Sequence, residues 1–175
     1  MYFLGIDESG TGLYPLIYSC CISINKENLI ENSFRKKRSN VERKRLKSFV
    51  GFPSKHLIFE KKYGGIINSE NFKTIAIGEF SKFYSQKYNI KAVYMDGLMP
   101  NLQIEKICEM IYGINKRINF LFGKNLDIKL KLVNEADNWA NLLFREFRNS
   151  STPQKTRPFE FLPLPDVRNY EKYLI

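Results

Sequence analysis

Two adjacent carboxylates, Asp7 and Glu8, close the apolar run YFLGI and open the turn SGTG. Acids carried to the end of a buried strand are costly unless something pairs them, and clustered hard oxygen donors suit Mg²⁺ or Mn²⁺. Neighbouring side chains on an ideal strand point to opposite faces, so Asp7 and Glu8 meet at one site only if the backbone bends after Asp7. Gly10 and Gly12 supply that freedom, because glycine adopts positive φ at no Cβ cost. The plainer alternative is a strand ending in a solvated turn.

A third acid has a similar setting. Residues 90–95, IKAVYM, read as a buried and central strand that delivers Asp96 into a Gly97 turn. The carboxyl ends of strands are where open α/β sheets place their sites, although an isolated Asp-Gly is also a common turn. Asp137 falls in Asn134-Glu135-Ala136-Asp137, read as the first turn of a helix, where a carboxylate complements the helix dipole. His56 is the only histidine, and without a partner nucleophile it reads as structural. Cys20, Cys21 and Cys108 form neither a C-x-x-C pair nor an even disulfide framework; Cys20 and Cys21 read as buried residues on opposite sheet faces.

The elements that would carry these groups alternate along the chain. β-Branched and aromatic runs predict strands at 2–6, 16–24, 56–63, 90–95 and 126–133. Phe72, Ile75, Ala76, Phe80 and Phe83 recur at helical spacing with Asn68 or Ser69 as cap; Ile104, Ile107, Cys108, Ile111 and Ile118 mark a second helix. Ala136, Ala140, Leu143, Phe144 and Phe147 mark another. Ser39-x-x-Glu42 forms a capping box for a basic helix that Gly51 and Pro53 end. Beyond residue 150 the chain turns polar and proline-rich, a linker or extended tail whose last residues, 170–175, dock as a short helix.

At 175 residues the chain suits one domain, and 43% hydrophobic with 14% aromatic residues excludes a disordered one. No apolar run approaches the roughly 20 residues of a membrane span, and the start lacks a signal-peptide pattern, so a cytoplasmic protein is expected. The formal charge of +10 favours polyanion partners. Eight basic residues against one acid lie between Arg35 and Lys47, which concentrates the excess in one segment.

Taken together, GIDESGTG, the segment Lys36-Lys37-Arg38-Ser39 with Arg43 and Leu46, VYMDG and the NEADNWANLL helix occur in the order seen in type 2 ribonucleases H. The chain resembles a divergent ribonuclease HII/HIII over roughly residues 2–149. The resemblance implies a ribonuclease-H-like α/β fold, a five-stranded mixed sheet flanked by helices, with the first three strands antiparallel. It implies a catalytic domain over 1–149 and a C-terminal extension over 150–175. Asp7, Glu8, Asp96 and Asp137 would be the metal-binding and catalytic carboxylates, with Glu135 as a fallback ligand. They would hold two Mg²⁺ or Mn²⁺ ions about 3.5–4 Å apart for in-line phosphodiester hydrolysis. Gly10, Thr11 and Gly12 would contact the ribose; Lys36, Lys37, Arg38, Ser39 and Arg43 would bind phosphates. Thr11 stands where the family has Arg or Lys, and the family's later tyrosine segment is absent. The implied activity is hydrolysis of the RNA strand of RNA–DNA hybrids, or of ribonucleotides embedded in DNA, by a monomer. The alternatives are a ribonuclease-H-fold nuclease of another group, or a non-catalytic nucleic-acid-binding domain.

Overall fold

The computed structural model describes residues 1–10, 13–24, 51–60, 69–114, 117–149, 159–163, 166 and 169–170. The expected basic helix around Ser39 lies outside these residues. Five strands, β1 (Tyr2–Ser9), β2 (Leu16–Ser23), β3 (Ser54–Phe59), β4 (Ile90–Asp96) and β5 (Asn119–Gly123), form one sheet in the order β3-β2-β1-β4-β5. β1–β2 and β2–β3 are antiparallel, whereas β4 joins β1 and β5 joins β4 in parallel. The expected mixed five-stranded sheet is therefore present, with β1 rather than β4 at its centre.

Each sheet face is covered by helix. Helix α1 (Ser69–Ser85) packs Phe72, Ile75, Ala76 and Phe80 against Leu4, Ile6, Tyr18, Cys20 and Met95, joined by Ile107 of α2 (Asn101–Met110). Its apolar positions follow the 3.6-residue period, so one stripe is buried against the sheet. Helix α2 ends at Met110, earlier than the apolar spacing predicts; Cys108 is exposed and Ile118 lies beyond the helix. On the other face α4 (Lys131–Asn149) sets Leu132 and Ala136 against Phe3, Cys21 and Ala92. Cys20 and Cys21 do lie on opposite faces. Among the described residues no helix is long and apolar enough to cross a membrane.

One expected strand is replaced by helix. Residues 126–133 divide between the short α3 (Leu126–Lys129) and the start of α4, and the fifth strand is the preceding run NFLFG. The run LDIKLKLV alternates as a strand does, but Leu132 and Val133 also begin the helical series continued by Ala136, Ala140 and Leu143. Burial of that stripe on β1 and β2 decides in favour of helix. Helix α4 therefore starts at Lys131, and Asp137 sits in its second turn, away from the helix N-terminus.

The contact between α4 and β1 is close. A Cβ on Gly5 would stand 2.6 Å from the Leu132 carbonyl carbon and 2.7 Å from its oxygen, so only glycine lets the helix backbone settle on the strand. At the far edge, residues 159–163 run along β3: the His56 amide donates to the Glu160 carbonyl at 3.1 Å, and the Leu162 amide donates to the His56 carbonyl at 2.9 Å. The Tyr170 side chain is buried in the core on the α1 face, and its hydroxyl donates to Glu79.

His56 is buried beneath this tail among Trp139, Phe159 and Phe161, with Nδ1 2.9 Å from Ser19 Oγ. Burial and then Lys55 lower its pKa from 6.5 to about 4. Between those values the unfolded chain binds the proton and the folded one does not, so stability falls as pH drops through this window. Two measurements follow. The denaturation free energy of wild type should lose about 3 kcal/mol relative to His56→Asn between pH 6.5 and pH 4. Gly5→Ala should cost about 1–3 kcal/mol at any pH, because the displaced neighbour is backbone.

Candidate active site

The strand ends set the geometry. Ile6 pairs with Met95 across β1 and β4, so Asp7 and Asp96 follow side by side at the carboxyl ends of two parallel strands. Both belong to the face that α4 covers, since Phe3 and Ala92 of the same strands pack on Leu132 and Ala136. Helix α4 brings Asp137 over them, and α3 contributes Asp127. Asp7 is 8% exposed and Asp127 3%. Burial, and after it the charge of Asp137, pushes the Asp7 carboxyl well above the usual carboxylate range; Asp127 and Asp96 add to the rise. The Glu8 amide, donating to Asp7 Oδ1 at 2.8 Å, opposes it. Three aspartates from three other elements thus act electrostatically on Asp7.

Each is held by identifiable contacts. Asp96 Oδ1 accepts from the Leu126 amide at 2.7 Å, which anchors α3 beside β4. Asp137 Oδ1 accepts from Asn141 Nδ2 at 2.6 Å, one helical turn on, and Ser9 Oγ donates to Asn141 Oδ1 at 3.0 Å. Asn141 therefore ties Asp137 to the end of β1.

Glu8 takes a different direction. The expected bend after Asp7 is absent: β1 pairs regularly through Glu8↔Tyr18 and Ser9↔Ile17, and the left-handed turn comes only at Gly10, with φ +93°. Glu8 therefore points to the opposite face, where the Tyr18 hydroxyl hydrogen-bonds its carboxylate. Burial and then this carboxylate hold the Tyr18 pKa well above the ordinary range, so the hydroxyl remains a donor. Glu8 Oε2 is buried and, among the described residues, has no hydrogen-bond partner. Among the described residues no three acidic, histidine or cysteine groups stand close enough to hold one metal ion.

Other expected positions sort as follows. Glu135, expected as a fallback ligand, is spent elsewhere: its Oε1 accepts from the Gly51 and Phe52 amides at 3.0 and 2.9 Å, fastening α4 to the entry of β3. Gly10 closes β1, and a Cβ there would stand 2.5 Å from the Pro15 carbonyl oxygen. Thr11, Gly12, Lys36, Lys37, Arg38, Ser39 and Arg43 lie outside the described residues. Asp127 is the acid that the sequence reading passes over. Its signal is the pattern that Asp7 and Asp96 show, an apolar strand and then an acid, obscured by the strand-like alternation of 126–133 beside the true strand Asn119–Gly123.

No family profile and no curated protein matches the sequence. Solved structures do. The structure of the PCNA:RNase HII complex from Archaeoglobus fulgidus aligns with a TM-score of 0.64 at 17% identity, over 90% of this chain and 84% of the matched one. The chain shares its fold with ribonuclease HII. Ribonuclease H2 from Pyrococcus horikoshii OT3 aligns with a TM-score of 0.57 at 13% identity, over 90% of this chain and 82% of that one. At such identities the ribonuclease HII likeness extends to the fold, and the site has to be judged on its own residues.

The raised Asp7 pKa sets a sign. The folded state keeps a proton that the unfolded chain releases near 3.8, so stability is lost as pH rises through the folded value. In metal-free buffer Asp7→Asn should melt above wild type at pH 7, and the difference should vanish below about pH 3.8. Thermal unfolding monitored by circular dichroism across this range checks it.

Proposed function

We propose that this protein is a metal-dependent endonuclease that hydrolyses the RNA strand of RNA–DNA hybrids, or ribonucleotides embedded in DNA. The observation that carries the reading is buried Asp7 at the end of β1, beside Asp96 and under the charge of Asp137, Asp127 and Asp96, within a ribonuclease-HII-like fold. Asp7 under the charge of three aspartates, together with the orphaned buried Glu8 Oε2, is a site short of positive charge. Divalent cations fit that deficit: the donors are all hard oxygens, and the hydrogen bonds of Asp7 and Asp96 each engage Oδ1, leaving Oδ2 for an ion.

No three of these acids stand close enough for one ion as they lie, so Asp7, Asp96, Asp127 and Asp137 would draw together around Mg²⁺ or Mn²⁺ from the α4 side, with Glu8 completing the set from the other face of β1. The ions, when bound, supply activation of a water molecule and relief of charge at the scissile phosphate. The chain's own part is positioning. Strand register holds Asp7 and Asp96 at adjacent places, Asn141 holds Asp137, and the burial that makes the uncompensated cluster costly also strengthens its attraction for a cation. The surplus of basic residues, +10 overall, would draw the polyanionic duplex to a site whose immediate lining is acidic.

The test is cleavage of an end-labelled DNA duplex containing one ribonucleotide, beside an RNA–DNA hybrid and an all-DNA duplex, in Mg²⁺ or Mn²⁺. Wild type should incise at the ribonucleotide or within the hybrid and spare DNA. Asp96→Asn and Asp127→Asn should each reduce the rate roughly 100-fold or more, the scale of losing one electrostatic group in a water-excluded site. Equal cleavage by wild type and both variants would assign any activity to a contaminant. Salt-sensitive binding without cleavage would favour a non-catalytic nucleic-acid-binding domain.

A further inference from the structure

On the face of the sheet opposite the aspartates, a pocket of about 180 Å³ opens beside the same strand ends, lined by Glu8, Tyr18, Glu70, Lys73 and Gln103 with Leu98 and Pro100 at its rim. Lys73 enters it from the second turn of α1. Its Nζ lies 3.4 Å from the Asp96 carbonyl oxygen and would be 3.3 Å from a Cβ on Gly97, so the ammonium rests directly on the backbone that leaves β4. Gly97, with φ +91°, has no side chain to displace it. Glu70, one turn earlier on the same helix, accepts from Gln103 Nε2 at 3.1 Å through Oε2. Among the described residues Lys73 forms no ion pair.

A lysine placed this way is unusual in its cost. An ammonium on a long, rotamer-rich side chain is ordinarily left in water or paired with a carboxylate, whereas this one is half-buried against a carbonyl within reach of the proposed catalytic centre. A nucleic-acid backbone reaching Asp7 and Asp96 passes a lining dominated by carboxylates, and each of its phosphates needs a donor there. We propose that Lys73 binds a backbone phosphate of the nucleic-acid strand next to the one that is cut, and that this pocket is the subsite for it. The Nζ, anchored by one bond to the Asp96 carbonyl, keeps two further N–H donors for phosphate oxygens. Lys73 then sets where the strand lies relative to Asp96, because the same atom touches both. The assignment rests on the nuclease reading above, and its test separates the two.

The measurement is equilibrium binding of a fluorescein-labelled RNA–DNA hybrid to the full chain in EDTA, by anisotropy, over a series of salt concentrations. Wild type, Lys73→Gln and Lys73→Arg are compared, and the melting temperature of each is recorded. A phosphate contact contributes to the slope of log K against log salt, so Lys73→Gln should flatten that slope by about 0.9 while Lys73→Arg keeps it. An unchanged slope in Lys73→Gln overturns the assignment, and a fall in its melting temperature alongside would make Lys73 a structural counter-charge for Glu8. Absence of salt-dependent binding by wild type itself would overturn the nuclease reading and the subsite with it.

Discussion

The seating of α4 on β1 at Gly5 is the contact on which the rest depends. With the Leu132 carbonyl occupying the place of a Cβ, the helix lies against the strand at backbone distance. From that seat its later turns are fixed: Ala136 and Ala140 are buried, Asp137 comes over the strand ends, and Asn141 reaches Ser9. A side chain at residue 5 would lift the helix by the thickness of a methyl group and loosen the aspartate cluster more than it would harm the sheet.

The cluster itself is an electrostatic cost built into the fold. Parallel register places Asp7 and Asp96 next to one another whether or not their charges suit, since the register is set by the apolar residues behind them, Ile6 and Met95. Two devices limit the cost. Backbone amides solvate one oxygen each of Asp7 and Asp96, and Asn141 solvates one of Asp137. Asp7 takes the remaining strain as a raised affinity for a proton, and a cation that replaced the proton would convert that strain into binding energy.

The opposite arrangement holds two strands further out. Asp7 is paired in register with Ser19 and Ser19 with His56, so a polar row crosses β1, β2 and β3 on the α4 face. Its outer end is closed by the chain's own C-terminal stretch, which hydrogen-bonds both sides of His56 and stacks Phe159 and Phe161 around the ring. Covering the β3 edge in this way satisfies its backbone groups and excludes water from the histidine. Proton affinity is raised at the carboxylate end of the row and lowered at the imidazole end, in both cases chiefly by burial.

Local chemistry along the chain was enough to determine the strands that carry Asp7 and Asp96 and the apolar stripe of α1. Strand and helix periods differ, and residues such as Ile6, Val93, Phe72 and Phe80 satisfy only one of them. Tertiary structure decided what the two periods share. LDIKLKLV fits both, and became helix because its Leu132 found the surface of β1; that choice moved the fifth strand to NFLFG and brought Asp127 within reach of Asp7. The direction of Glu8 was likewise settled by pairing with Tyr18, which keeps β1 extended past the point where a bend would have turned both acids to one side. A sequence states which residues prefer a strand or a helix, but which acids meet depends on how far each element runs before its partner releases it, and that length is set by contacts distant in the chain.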